Sequence, residues 1–398
     1  ADMFRCAFKG SPLYYAWMGL LTVVVIAGVG AYRVQLDVGL GVTNLSQTVS
    51  WGAYIANFTF LVGVAAAAVL LVVPTYVYHR EDTKDVVLIA ELMAASAIIM
   101  CLAFVTVDLG RPERFLHMMP FFGKLNWPRS MLAWDVVVLM GYLVLNIHVP
   151  GYLLYMLYKG RQPAKKFYLP FVFISIFWAV SIHTVTAFLY GGFGGRPFWN
   201  TAILAPRFLV SAFVTGPAFI VLALQLIRRF TNVKMPSSPV FTLIQILRVT
   251  VLANLFLVGS EVFTEFYTGG SHVAAAQYLY FGLHGHGALV PWIWAAILMN
   301  LSAAVILLTT NAEKQLWLVD LACVLTLVGI WIEKGIGLIV PGFVPSTLHE
   351  IVEYVPNLLE WKVSLGVWAL GLMIFTLGLR IAGAVWTGEI RDTPKEVA

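Results

Sequence analysis

Residues 86–115 read VVLIAELMAASAIIMCLAFVTVDLGRPERF. From 86 to 107 the only charge is Glu91, and then Asp108, Arg111, Glu113 and Arg114 follow within seven residues. About 20 apolar residues in a helix cross the roughly 30 Å of bilayer hydrocarbon. This stretch therefore reads as a membrane helix with charges gathered at its outer edge, where hydrocarbon cannot solvate them and each must be paired, hydrated or functional. Gly110 is expected to cap the helix and Pro112 to stop it.

The same pattern extends over the chain. Of 398 residues 60% are hydrophobic and 11% charged, with mean hydropathy +0.85, whereas soluble domains carry roughly 25% charged residues. Apolar runs of spanning length occur ten times, at residues 12–32, 51–78, 86–107, 131–157, 167–190, 207–228, 240–266, 287–310, 315–339 and 362–387. Period-2 alternation is absent, so the spans are helices and the expected class is an all-α integral membrane protein. The first run has the length of a full span and no Ala-x-Ala-type site, which predicts a retained helix and not a signal peptide.

With the N-terminus inside, fifteen Lys and Arg fall on the inner side and nine on the outer, with Arg248 inside a helix. The positive-inside rule then predicts cytoplasmic termini and a place in the cytoplasmic membrane. This bias accounts for the net charge of +5. Basic residues are scattered through short loops and not interleaved with aromatics, so no nucleic-acid partner is expected. Inner loops are short, but the outer segments 33–50, 108–130, 191–206, 267–286 and 340–361 are long, a surface suited to docking a partner protein. The cysteines, Cys6, Cys101 and Cys323, include no C-x-x-C pair and supply no iron–sulfur or zinc ligand set.

Two segments resemble each other. Span two opens Trp51-Gly52-Ala53-Tyr54-Ile55-Ala56-Asn57-Phe58 and thins to Gly63-Val64-Ala65-Ala66-Ala67-Ala68, while span six opens Arg207-Phe208-Leu209-Val210-Ser211-Ala212-Phe213 and thins to Thr215-Gly216-Pro217-Ala218. Small residues of this kind let another helix approach closely. The starts of spans two and six, and of four and eight, are each offset by about 156 residues. Within one membrane domain this predicts two four-helix bundles, residues 51–190 (helices 2–5) and 206–340 (helices 6–9), flanked by helices 1 and 10 at 12–32 and 362–387.

Intramembrane polar groups concentrate toward the outer side. Asp108 ends span three, Asp135 lies about 6 Å into span four, and His183 about 10 Å below the outer end of span five, taking helical rise. Ser181, Thr184 and Thr186 flank His183. An isolated Asp135 facing lipid would cost about 2.5 to 3.5 kcal/mol on insertion scales, so it should face the bundle interior. His183 at that depth suits a hydrogen-bond donor or proton acceptor for a quinone headgroup, whose oxygens take up protons on reduction. Glu261 and Glu333 are also in the outer third, where pairing with Lys334 or hydration is the simplest reading. Glu91, Arg248 and Asp320 lie at inner depth, Arg248 placed to reach the inner face, and together with Glu261 and Glu333 they outline a proton path. His183 has no histidine at matched depth on a facing helix, so no haem is expected, and His272, His284 and His286 belong to a solvated outer loop.

Several motifs together resemble the NrfD/PsrC family of polysulfide-reductase-type membrane subunits. They are D-L-G-R-P-E-R-F (Asp108 to Phe115), W-G-x-Y-I-x-x-F-T-F-L-V-G (Trp51 to Gly63), the Trp134-Asp135 pair, P-R-F-L-V-S-A-F (Pro206 to Phe213) and E-K-G-I-G-L-I-V-P-G-F-V-P (Glu333 to Pro345). Among its branches the chain is most similar to the DsrP-type subunits of sulfite-reduction-associated DsrMKJOP complexes, with HmcC- and QrcD-type subunits close. The resemblance implies a subunit without haem or iron–sulfur cluster that exchanges electrons between menaquinone and an iron–sulfur protein on the outer face. Its implied partners are a ferredoxin-like iron–sulfur subunit, a multihaem cytochrome and further membrane and cytoplasmic subunits. The implied quinone pocket holds Asp108, Asp135 and His183 as catalytic groups, with Trp51, Tyr54, Asn57, Arg111 and Ser130 binding the quinone. Two rivals stand beside it. A secondary transporter also uses repeats and buried polar groups, although paired broken helices at mid-membrane are not evident here. A passive membrane anchor would need no pocket at all.

Overall fold

Ser11 starts the first long helix by accepting a hydrogen bond from the Tyr14 amide, with Pro12 in the first turn, where its missing N–H costs nothing. In the computed structural model, which describes residues 2–80, 83–118, 121–230, 237–270, 273–346 and 350–391, ten helices are long and apolar enough to cross a membrane. They are α1 (Pro12–Val38), α2 (Ala53–Val77), α3 (Val86–Asp108), α4 (Met131–Tyr158), α5 (Lys165–Gly191), α6 (Leu204–Phe230), α7 (Ser238–Tyr267), α8 (Val290–Thr309), α9 (Leu316–Phe343) and α10 (Leu358–Trp386). His272 lies outside the described residues. Among the described residues the only extended pairing is a single bridge, Leu283 to His286. The chain is an all-α integral membrane protein. Large apolar side chains such as Phe177, Val249 and Phe256 stay exposed along its flanks, as a lipid-facing surface requires.

α2 is the central helix, and nearly all of its span is buried. It packs against α3, α6 and the widened turn of α9, while α6 packs in turn against α5, α7 and α9. The small-residue stretches are where α2 and α6 meet: a Cβ on Gly216 would lie 2.7 Å from the Ala67 Cα, and one on Gly63 3.0 Å from Thr215 Oγ1. α1 and α10 pair closely, Gly28 against Gly366, where a Cβ on Gly28 would lie 2.6 Å from the Gly366 Cα. α10 also packs on α3.

Two expectations change. α3 ends through Leu109 in extended backbone, without a left-handed Gly110, and Pro112 begins a 3₁₀ helix, Pro112–Met118. Helix interruptions do occur. α2 tightens to a 3₁₀ turn at Ala66–Ala68, and α9 widens to a π turn at Trp331–Ile336, which carries Glu333 and Lys334. Such π turns are frequent at functional sites.

Candidate functional site

At the end of the molecule that carries the long loops, the starts of α2 and α4 and the ends of α3 and α5 enclose a cavity of about 420 Å³. Trp51, Ile55 and Phe58 wall one side and Met131 and Phe193 another, while Asp108, Ser130 and Asp135 bring polar atoms into this largely apolar space. Ser130 is the N-cap of α4, its Oγ accepting from the Ala133 amide at 3.3 Å. That leaves its hydroxyl proton for the cavity. Asp135 is fully buried one turn further in. Thr186 Oγ1 on α5 lies 2.8 Å from both Asp135 Oδ1 and the Ile182 carbonyl, so its single proton serves one acceptor at a time. Oδ1 of Asp108 is buried with no hydrogen-bond partner among the described residues.

Trp51 is held by four rings and keeps part of its surface toward the cavity. It stacks on Trp199 with centroids 5.7 Å apart and meets Tyr190, Phe193 and Phe343 edge-on. Beneath it the Tyr190 and Thr59 hydroxyls are 2.5 Å apart. The backbone at Trp51 is fixed by the loop before α10. The Ala53 amide donates to the Tyr354 hydroxyl at 2.9 Å, and Tyr354 donates to Glu360, which also accepts from the amides of Asn44 and Asn357 at 3.0 Å each. Burial, with Glu360 adjacent, pushes the Tyr354 phenol above the ordinary tyrosine range, so it stays a donor.

Four of the eight expected pocket residues line the cavity: Trp51, Asp108, Ser130 and Asp135. The other four are placed differently. Tyr54 is buried and donates to Gln35 Oε1 at 2.7 Å, and Gln35 Nε2 donates to the Val107 carbonyl at 2.6 Å. Tyr54 thus reaches α1 and, through it, the peptide beside Asp108. Asn57 belongs to a junction of α2, α9 and α10, where its Oδ1 accepts from the indoles of Trp331 at 3.0 Å and Trp368 at 2.9 Å. His183 shares a face of α5 with Thr186; its Nδ1 donates to the Ala179 carbonyl at 2.8 Å, and its buried Nε2 has no hydrogen-bond partner among the described residues. Arg111 is exposed and lines a neighbouring cavity.

Of the path residues, Glu261 and Glu333 come together, and the cation between them is Arg207, not Lys334. Arg207 Nη1 pairs with Glu261, Nη2 donates to Glu333 Oε1 at 2.8 Å, and Asn300 donates to Glu333 Oε2 at 3.0 Å, all buried. Lys334 instead sits over the Phe208 ring, 4.1 Å from its centroid. Arg248 caps the end of α8, donating to the carbonyls of Leu307 at 2.7 Å and Thr310 at 2.8 Å. Glu91 is buried with Oε2 unpartnered among the described residues, and Asp320 is half-buried near the start of α9. Among the described residues no hydrogen bond joins these last three to each other or to the Arg207 cluster.

Gln35, Thr186, Arg207 and the Tyr354–Glu360 pair stand outside the site residues expected from sequence. Only Glu360 has a local signature: Asn357-x-x-Glu360 is a capping-box pattern, and both of its hydrogen bonds are made.

The model of the family described as polysulphide reductase, NrfD matches residues 41–344. The chain is 22% identical to the Hdr-like menaquinol oxidoreductase integral membrane subunit of Archaeoglobus fulgidus, over 90% of this chain and 91% of that one. It is 25% identical to a selenate reductase subunit of Mesobacillus selenatarsenatis, over 87% and 89% of the two chains. To the integral membrane subunit of menaquinone reductase from Nitratidesulfovibrio vulgaris it is 24% identical, over 91% and 88%.

Proposed function

This chain belongs to the polysulphide reductase NrfD family, and from that premise we propose that it is the quinone-interacting membrane subunit of a respiratory redox complex. The substrate is menaquinol or menaquinone. The electron partner is an iron–sulfur protein of the ferredoxin-like type on the long-loop face, with a multihaem cytochrome and further subunits completing the complex. In this reading the long-loop face is outside, both termini are cytoplasmic, and α2–α5 and α6–α9 act as two bundles.

The observation that carries the proposal is the pair of acidic side chains, Asp108 and Asp135, entering one largely apolar cavity at the long-loop end. Oxidation of a quinol releases electrons and protons together, so a site without proton acceptors stalls. Asp135 takes one proton, with Thr186 donating to its Oδ1 while it is ionised and turning back to the Ile182 carbonyl once it is neutral, and Asp108 takes the other at its unpartnered Oδ1. Ser130 offers a donor to a quinone oxygen, and Trp51 presents an apolar face to the ring. The electrons leave to the partner's cluster. His183 and Tyr54 shape the pocket from behind. A role in sulfite reduction within a DsrP-type complex is the specific assignment we favour. Proton translocation is assigned to the buried Arg207, Glu261 and Glu333 cluster, with Glu91, Asp320 and Arg248 toward the other side.

The test is quinol-to-acceptor turnover in the intact purified complex. Asp108→Asn and Asp135→Asn should each depress it at unchanged subunit composition. Wild-type turnover in both variants would refute the site and favour a passive anchor, and solute uptake by the chain alone in liposomes would favour a transporter.

A further inference from the structure

Against α3 and α4, two of the four helices that wall the Asp108 cavity, lies a second cavity, of about 200 Å³. It has a polarity gradient. Arg111 and Arg114 border it beyond the end of α3, Phe115 and Met118 lie over it, and Val105 and Val136 line its deeper part. Val105 is one turn inside Leu109 and Val136 one turn inside Leu132, about 6 Å by helical rise. The groove thus runs from two cations down into the apolar depth of the membrane.

The cations are available. Arg111 has only an exposed contact with Glu113, at 3.6 Å, which is a weak pair in water. The Arg114 guanidinium has no hydrogen bond or ion pair among the described residues. The connection from α3 to α4 carries Arg111, Arg114, Lys124 and Arg129 against Glu113 alone. It also exposes Phe121, Phe122 and Trp127, of which the Trp ring suits the headgroup level of a bilayer. Guanidinium forks fit phosphate oxygens in a bidentate manner, and basic pockets between membrane helices select anionic lipid headgroups.

We propose that this cavity binds an anionic phospholipid, its phosphodiester between Arg111 and Arg114 and one acyl chain lying in the groove between α3 and α4 against Leu132 and Val136. The cavity is too small for a whole lipid, so it takes the phosphodiester and the first methylenes while the remaining chain continues in the bilayer. The first cavity shares the Leu132 wall, so the lipid packs on the outer side of that wall.

The test is native mass spectrometry of the full chain purified in neutral detergent, followed by titration with phosphatidylglycerol. One phosphatidylglycerol should be retained per chain in preference to phosphatidylcholine. Binding should weaken about fivefold for Arg111→Ala or Arg114→Ala and about 25-fold for both, the scale of a basic side chain near an anionic lipid surface. Lys124→Ala/Arg129→Ala, on the same loop but off the cavity, should leave it unchanged. Leu132→Trp keeps both arginines and fills the groove, and should also release the lipid from a monodisperse protein. Equal retention of phosphatidylcholine, unchanged binding in the double arginine variant, or displacement by millimolar inorganic phosphate would each overturn the proposal.

Discussion

Thr186 on α5 holds Asp135 on α4: its hydroxyl oxygen lies 2.8 Å from Asp135 Oδ1, and both residues are buried. Thr186→Val keeps the shape and removes the donor. A lost bond of this kind is worth about 1 kcal/mol, so turnover of quinol in the intact complex should fall about fivefold while assembly is kept. Thr186→Ser should restore it. A change confined to thermal stability, with kcat and KM unmoved, would make the threonine purely structural.

Asn57 Oδ1 accepts from two indoles, those of Trp331 and Trp368. Asn57→Leu leaves two partly buried N–H groups unpaired, at about 1 kcal/mol each. The thermal midpoint in detergent should drop clearly. The loss should be less than additive with Trp331→Phe, because the two changes remove the same bond. Additive losses would mean that Asn57 contacts something other than the indoles.

Arg207 bridges two buried carboxylates, Glu261 and Glu333. Removing one partner of a buried charge cluster costs about 3 to 5 kcal/mol because the remaining charge is stranded. Arg207→Met should therefore destabilise strongly, and Arg207→Met/Glu261→Gln/Glu333→Gln should recover much of the loss. Size-exclusion profiles after a heating series read both, and equal stability of Arg207→Met and wild type would contradict the cluster.

At Gly52 a Cβ would lie 2.2 Å from the Tyr354 ring. Gly52→Ala must displace the ring that bridges the Ala53 amide to Glu360, so it should destabilise more than Tyr354→Phe, which deletes only the hydroxyl. Proteolysis rates of the loop before α10 would show the order, and a reversed order would mean that Tyr354 yields easily.

Much of the candidate site is legible before the helices are assembled. Asp108, Ser130 and Asp135 stand out because charge and hydroxyl near the edge of apolar runs are anomalous, and Trp51 stands at the same level. Asn57, Tyr54 and His183 lie at plausible depth, yet depth does not say which way a side chain points. Thr184 and Thr186 differ by two residues and so by about 200° around a helix: Thr186 meets Asp135, while Thr184 bonds back to its own Val180 carbonyl on an exposed face.

The ten spans were determined by sequence alone, because the cost of placing a backbone in hydrocarbon is local and about 20 consecutive residues decide it. The partners of the buried charges were decided only by tertiary structure. Glu333 and Lys334 are adjacent in the chain, but adjacent residues on a helix do not face each other. In the assembled protein Glu333 meets Arg207 from α6 while Lys334 lies on the Phe208 ring. Which cation satisfies a buried carboxylate depends on how two helices are rotated against each other, and that rotation is set by packing across the whole interface, not by the residues of either helix taken alone.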